Sequence, residues 1–206
     1  AAAYDKAGFH YMGMLQNGTF RLATANTNLK DLDAYKGLKI RTMSNKNHMA
    51  FWTAIGAEPT PLAFSELYFA LQSGTVNAEE NAADTIVNMN FNEVQKFLAP
   101  TNHVLYTNQL AMNKKAYESL DPAYQKALNQ AVSEALKELA PKLGEIDKQN
   151  KETLEKKGMT IIKYDKSFYD QVLALDSVKA LYKDINSQIN GIGDVLMQEL
   201  DAAAKK

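Results

Sequence analysis

The order of periodicities along the chain constrains its fold most. Up to residue 112, segments in which apolar and polar residues alternate are separated by segments with helical spacing. Strands are predicted at residues 20–24, 38–42, 75–78 and 101–112; the alternation is clear at 38–42, and 101–112 is long and rich in β-branched and aromatic residues. The segments between them predict helices that begin near Ser44 or Asn45, at Ser65 and at Asn81 or Asp84. This alternation predicts an α/β sheet.

The second half of the chain has a different pattern. Asp121 and Pro122 form an N-cap followed by proline at the first helical position, and a strongly charged helical pattern then continues to Lys157. Pro141 lies inside this segment and is expected to kink or split the helix. Because so long a polar helix fits poorly into one compact core, we expect it to brace two lobes. A strand at 159–163 and helices at 167–189 and 193–204 follow.

Composition excludes several classes of protein. The 206 residues carry 23 basic and 24 acidic side chains, so a net charge of -1 provides no overall field for nucleic acid or anionic lipid. The lack of cysteine excludes disulfides, thiol catalysis and thiolate metal sites. No apolar run approaches the roughly 18–20 residues of a transmembrane helix, and no signal peptide is visible. We therefore expect a globular chain without a nucleic-acid partner.

Motifs for catalysis are missing from the sequence. It contains no Gly-x-Gly-x-x-Gly, P-loop, His-Glu-x-x-His or Gly-x-Ser-x-Gly segment. The three histidines, His10, His48 and His103, lack the spacing of metal ligands. Glu79 and Glu80 are adjacent, so in a strand they point to opposite faces and cannot act as a paired acid and base. We therefore expect neither an enzyme nor a metal or cofactor site.

The use of arginine is the most informative count. Only Arg21 and Arg41 are arginines among the 23 basic residues, and arginine grips a planar anion with a rigid fork of donors. Arg41 ends a predicted strand, which is where α/β folds bind ligands. Met43 and Ser44 follow it toward free helix N–H groups, which favour anions. Arg21 would complete a clamp on a carboxylate; the alternative is that both arginines form structural ion pairs.

Two further residues are candidates for the same crevice. Asn81 lies at another strand-to-helix crossing and offers a neutral donor and acceptor. Phe64 can provide an apolar wall, whereas the helical spacing of Trp52 favours a position in the core. The residues alone therefore predict a polar crevice with one apolar side.

Several short segments in register carry a resemblance to a known family. They are Gly-Leu-Lys-Ile-Arg at 37–41, Ile-Gly-Ala-Glu-Pro-Thr-Pro at 55–61, Phe-Ser-Glu-Leu-Tyr-Phe-Ala-Leu-Gln-Ser-Gly at 64–74, Val-Asn-Ala-Glu-Glu-Asn at 76–81, Glu-Val-Gln-Lys at 93–96 and Thr-Asn-His at 101–103. Their order and spacing over residues 19–112 closely resemble the DctP-type solute receptors of tripartite ATP-independent periplasmic (TRAP) transporters. The helical remainder fits the same plan.

The resemblance implies an α/β, two-lobed fold of the periplasmic-binding-protein type, with a long bracing helix and a helical C-terminus. Such receptors are periplasmic or membrane-tethered, are not enzymes, and deliver a small organic acid to a permease driven by an ion gradient. The match starts late, so we expect most of the first lobe to be missing. Residues 19–106 and 147–206 would form the second lobe, and 1–18 and 107–146 the remnant of the first lobe and the crossing elements. We expect a monomer.

The resemblance also implies roles for single residues. Arg41 matches the family's strand arginine, which forms a bidentate salt bridge with the ligand carboxylate. Arg21 matches a second arginine twenty residues earlier, and Phe64 matches an aromatic residue of the site. Asn81 matches the asparagine of the Asp-Gly-x-Glu-Asn motif, whose Asp-Gly is replaced here by Asn-Ala at 77–78.

Other expectations concern support, closure and the transport system. We expect Glu80 and His103 to orient Arg41, because a guanidinium has five donors and a ligand uses only two; the alternative for His103 is a satisfied strand histidine. We expect a hinge between lobes at residues 101–112 and near Pro141, which could equally be a simple kink. The competing functional class is a receptor of an ATP-driven importer or a chemosensory domain.

Overall fold

Strands and helices alternate along the computed structural model, which describes residues 1–204. Within this range the strands are β1 (Phe9–Phe20), β2 (Leu22–Ala25), β3 (Lys39–Thr42), β4 (Glu58–Pro61), β5 (Ala78–Asn81), β6 (Phe97–Ala99), β7 (Leu105–Asn113) and β8 (Thr160–Ile161). The α-helices are α1 (Ala2–Lys6), α2 (Lys46–Ala54), α3 (Leu67–Ser73), α4 (Ala83–Asn88), α5 (Lys114–Glu118), α6 (Pro122–Leu139), α7 (Leu143–Lys156), α8 (Lys166–Ala174), α9 (Asp176–Gln188) and α10 (Ile192–Ala204). Short 3-10 turns lie at Leu32–Tyr35, Phe64–Glu66, Phe91–Glu93 and Ala140–Lys142. The expected mixed α/β class is confirmed.

Six strands form one mixed sheet in the order β4-β3-β5-β2-β6-β8. β3 is parallel to β4 and β5, and β6 is parallel to β8, whereas β2 is antiparallel to β5 and β6. Pro59 and Pro61 lie in β4, an edge strand, which is where a sheet tolerates residues without an N–H group. Because β3 and β5 are parallel, their carboxyl ends lie side by side at the same end of the sheet, next to the start of β2. We call this end of the sheet the polar edge.

Three strand predictions are corrected by the structure. β5 covers Ala78–Asn81 rather than 75–78, because its acidic residues find partners on β2 and all four residues are buried. Local strand propensity does not anticipate this, since glutamate and asparagine are poor strand formers. The predicted strand 20–24 is divided at Arg21 between β1 and β2, and the strand predicted from residue 101 begins only at Leu105. The segment before Leu105 is a loop in which Asn102 has a positive φ of 50°.

β1 and β7 form a separate antiparallel pair, against which the long helical segment packs. The side chain of Asp121 caps α6 by accepting a hydrogen bond from Ala123 N at 2.9 Å. The 3-10 turn around Pro141 separates α6 from α7, so the expected split of this helix is confirmed. α6 contacts β1, whereas α7 contacts both β1 and α4. The helical segment therefore connects the two-stranded pair with the six-stranded sheet.

Apolar side chains cover both faces of the six-stranded sheet. Trp52 is completely buried on the face that also carries α8 and α9, as its spacing indicated. On the opposite face, Leu154 of α7 is completely buried among side chains of β2, β6, α3 and α4. Because both faces are covered, polar side chains of the sheet can approach solvent only at its margins.

We expect Leu154→Ala to lower the free energy of unfolding by about 2–5 kcal/mol, because it leaves a cavity in this core. Leu173→Ala is the matched control: Leu173 is also a helical leucine, but it is 64% exposed, and its loss should cost less than about 0.5 kcal/mol. Urea denaturation of both variants measures the difference. Equal losses would contradict the packing of α7 on this core.

Candidate functional site

Arg41 lies in β3 at the edge where the parallel strands end, and only 3% of it is exposed. Its Nε and Nη2 atoms donate to the carbonyl oxygen of Leu62 at 3.1 and 2.9 Å. The guanidinium carbon lies 5.6 Å from the centre of the Phe64 ring, within the range of a cation–π contact. These contacts fix the plane of the guanidinium group.

The third nitrogen of Arg41, Nη1, makes no hydrogen bond with any residue that the structure describes. No described carboxylate is close enough to form a salt bridge with this side chain. Burial lowers the pKa of Arg41 below its ordinary value, but an arginine side chain in a protein stays protonated. Arg41 therefore presents an oriented positive charge that no described carboxylate neutralises by direct contact.

Arg21 is in the opposite situation, because its charge is matched by Glu80. Its Nε donates to Glu80 Oε2 at 2.5 Å, and its Nη2 donates to Glu80 Oε1 at 3.1 Å and to the Glu80 carbonyl at 2.9 Å. The Glu80 side chain is completely buried. A structural ion pair, the alternative considered for both arginines, thus describes Arg21 and not Arg41.

His103 supports the same ion pair from the other side. Its Nε2 lies 3.2 Å from Glu80 Oε2, and its Nδ1 lies 2.8 Å from the hydroxyl of Thr101. Burial lowers the pKa of His103, against the opposing effect of the Glu80 charge, so the neutral ring that donates to Glu80 and accepts from Thr101 satisfies both contacts. The expectation that Glu80 and His103 orient Arg41 is wrong: in the sheet register, Glu80 lies opposite Ala23 of β2 and meets Arg21.

The side chain of Asn81 lies between Arg21 and Glu79 and hydrogen-bonds to both. Its Oδ1 accepts from Arg21 Nη2 at 2.9 Å, and its Nδ2 donates to Glu79 Oε2 at 2.6 Å. These two contacts define the orientation of the Asn81 amide, although Asn-Ala at 77–78 replaces the Asp-Gly of the family motif. Glu79, Thr24 and Leu62 were not singled out as site residues by sequence reasoning. Knowledge of the pairing of β2 with β5 would have identified Thr24 as a neighbour of Glu79, because the two residues lie opposite each other.

The remaining candidates lie around the end of β3. Met43 is 36% exposed and Ser44 is exposed, both in the loop that follows Arg41. Asn45 is the N-cap of α2, with its Oδ1 accepting from the N–H groups of Asn47 and His48 at 2.9 and 3.2 Å. Two of the helix N–H groups predicted to favour an anion are therefore already occupied. Phe64 is 40% exposed beside Arg41.

The described part of the chain contains no cluster of histidine, aspartate or glutamate side chains suited to a metal ion. None of its helices has the length and apolar character needed to cross a membrane.

We expect Glu80→Gln to destabilise the protein by about 3–5 kcal/mol at pH 7, because it leaves the Arg21 charge buried and unpaired. Burial alone would raise the pKa of Glu80, but His103, His48 and Arg21 outweigh it and hold this pKa at about 2. The ionised group therefore contributes stability above its unfolded pKa of about 4, and this contribution is lost as pH falls from about 4 toward 2.

Urea unfolding at several pH values between 3 and 7 checks this prediction. The variant should lose less stability on acidification than the unmodified protein. Glu58→Gln is the control, since Glu58 is an exposed residue of the edge strand β4. Identical acid profiles for the Glu80 variant and the unmodified protein would contradict the role of this ion pair.

Comparisons with known proteins agree with this fold. The model of the family described as bacterial extracellular solute-binding protein, family 7 (DctP), matches residues 1–188. A solute-binding protein of Verminephrobacter eiseniae is 35% identical over 181 residues, or 87% of this chain and 53% of that protein. The sialic acid-binding periplasmic protein SiaP of Vibrio cholerae is 31% identical over 176 residues, or 84% of this chain and 52% of that protein.

A solved structure is similar over nearly the whole chain. It is a TRAP periplasmic solute binding protein from a Polaromonas species bound to D-erythronate, with 28% identity and a TM-score of 0.83, and the match covers 96% of this chain and 64% of that one. The chain spans about half the length of the two relatives above. The family consists of solute-binding proteins and not of enzymes. On this match, the chain belongs to family 7 of the bacterial extracellular solute-binding proteins.

Proposed function

We propose that this protein is an extracytoplasmic receptor that captures a small organic acid by a salt bridge to Arg41 and delivers it to an ion-gradient-driven TRAP permease. The observation that carries the proposal is that Arg41 is held in a fixed orientation without a described carboxylate partner. Its guanidinium is oriented by Leu62 and Phe64, carries no described salt bridge and lies at the carboxyl end of a parallel strand. A carboxylate is the planar anion that fits such a fork.

The charge balance of the edge supports an anionic ligand. Arg21 and Glu80 cancel each other in a buried, hydrogen-bonded pair, so they add no net charge to the crevice. Arg41 keeps its charge. An anion that approaches this edge therefore gains an ion pair with Arg41 without having to displace a carboxylate of the protein.

The neighbouring residues supply the other contacts in this proposal. Phe64 covers one side of the ligand, and Met43 and Ser44 border it beyond the end of β3. Asn81 keeps one amide hydrogen and one oxygen lone pair for a ligand after its two contacts with Arg21 and Glu79. Arg21 approaches the ligand with Glu80 and His103 behind it.

The two similar proteins with named ligands are consistent with this chemistry. SiaP of Vibrio cholerae is named as sialic acid-binding, and the Polaromonas protein was solved with D-erythronate. Both compounds are carboxylic acids that also carry hydroxyl groups. We infer that this protein takes an acid of the same broad class.

Closure around the ligand would be a movement between two lobes. In this proposal, residues 19–106 and 147–206 form one lobe, while 1–18 and 107–146 belong to the other lobe and to the crossing elements; residues 205 and 206 lie outside those described. The interruption at Pro141 and the crossing strand β7 are the proposed hinge elements. The receptor would act as a monomer.

A receptor for another kind of importer, or a chemosensory domain, would use the same ligand chemistry. The transport system is what distinguishes these alternatives. Genes for two TRAP membrane subunits beside the gene for this protein would support the proposal, and transport of the ligand should then depend on those subunits. Uptake that needs an ATPase would contradict it.

We expect Arg41→Ala to raise the Kd for a bound carboxylate by about 100-fold or more, because the ion pair with the ligand is lost. Calorimetric titration with D-erythronate, sialic acid and succinate measures the effect. Lys39→Ala is the matched control, since Lys39 is an exposed cation two residues earlier in the same strand. Erythritol, which lacks the carboxylate of D-erythronate, should not bind. Unchanged affinity in the Arg41 variant would contradict the proposal.

A further inference from the structure

Glu79 is a completely buried acidic residue beside the proposed ligand site. It lies in β5, next to Arg41 in the register of β5 with β3, and on the opposite face of the strand from Glu80. We propose that Glu79 is held as a neutral carboxylic acid that positions the Asn81 amide, and that its ionisation weakens the binding of an anionic ligand at Arg41. The second part of this proposal rests on the proposed function; the first part does not.

The count of hydrogen atoms around Thr24 supports a neutral Glu79. The Thr24 hydroxyl lies 2.9 Å from Glu79 Oε1 and 3.2 Å from Gln95 Oε1. The orientation of the Gln95 amide follows from its Nε2, which donates to the Val94 carbonyl at 2.8 Å. A hydroxyl has one hydrogen and cannot donate to two acceptors. If Glu79 donates its proton to Thr24, Thr24 can donate to Gln95 and every contact is satisfied.

The contrast with Glu80 points the same way. Glu80 receives Nε and Nη2 of Arg21 and Nε2 of His103, which is the compensation that a buried carboxylate needs. Glu79 has only the Asn81 amide as an assured donor and forms no described salt bridge, although Arg41 is its neighbour across the sheet. Arg41 instead donates to the Leu62 carbonyl. An ionised Glu79 would thus be buried with little compensation.

The charges that act on Glu79 come from each neighbouring strand. β3 contributes Arg41, the start of β2 contributes Arg21, and β5 itself contributes Glu80. His103 and His48 lie beyond Glu80. Burial raises the pKa of Glu79 to about 7, and the hydrogen bonds from Asn81 and Thr24 oppose this rise only in part. Two adjacent carboxyl groups are thus placed in environments that push their pKa values apart.

A neutral Glu79 changes what a ligand meets. Since Arg21 and Glu80 cancel, the edge carries the single positive charge of Arg41 when Glu79 is protonated and no net charge when it is ionised. An ionised Glu79 would also attract Arg41 and accept more strongly from Asn81. The affinity for a carboxylate should therefore fall as pH rises through about 7.

The protonation of Glu79 is tested without any ligand. In protein labelled with carbon-13 at glutamate, the side-chain carboxyl signal of Glu79, assigned by connectivity to its backbone amide, should titrate near pH 7. The free energy of unfolding gives a second measurement: the folded protein keeps a proton that the unfolded chain releases above about pH 4, so this contribution to stability falls between about pH 4 and 7. Glu79→Gln should remove that decline. Titration near pH 4 would overturn the proposal.

The link to the ligand is tested by calorimetry with D-erythronate from pH 5.5 to 8.5, a range in which its own carboxylate stays ionised. The affinity of the unmodified protein should fall by at least about fivefold across the range, and Glu79→Gln should show no such dependence. If Glu79 titrates near pH 7 and the affinity is constant, the coupling is refuted. If D-erythronate, sialic acid and succinate all fail to bind at any pH, the proposed function and this coupling fail, while the neutral Glu79 stands on its own titration.

Discussion

The structure depends on how a buried edge of the sheet accommodates two guanidinium charges. Arg21 is neutralised by Glu80, with His103 and Asn81 completing its surroundings, because a buried charge without a partner is very costly. Arg41 is instead held by a main-chain carbonyl and an aromatic ring, neither of which removes its charge. The first arrangement stabilises the fold. The second leaves Arg41 without a described carboxylate partner, and the proposed ligand would supply one.

Strand alternation separates these two arrangements. Glu79 and Glu80 are adjacent in β5, yet one shares a face with Arg41 and the other meets Arg21. Asn81 contacts Arg21 through its amide oxygen and Glu79 through its amide nitrogen. Glu80, Arg21, Asn81 and Glu79 therefore form one continuous chain of hydrogen bonds that joins the two faces of β5.

Sequence reasoning succeeded where the signal is local. Short-range patterns predict the end of β3 just after Arg41, the division of the long helix at Pro141 and the core position of Trp52. It failed for the partner of Glu80, because which arginine meets that carboxylate depends on the antiparallel register of β2 with β5, residues more than fifty positions apart. The start of β5 was misplaced for a related reason: its polar residues are strand residues only because their partners lie across the sheet.

The contact between Arg41 and Leu62 has a consequence for how this protein can diversify. The acceptor is the carbonyl of the main chain, which every amino acid possesses, so no replacement at position 62 deletes it. Side chains around Arg41 can change over evolutionary time while the orientation of its guanidinium group is preserved. If Arg41 anchors an acid as proposed, selectivity for one acid over another can change without a change in how that arginine is held.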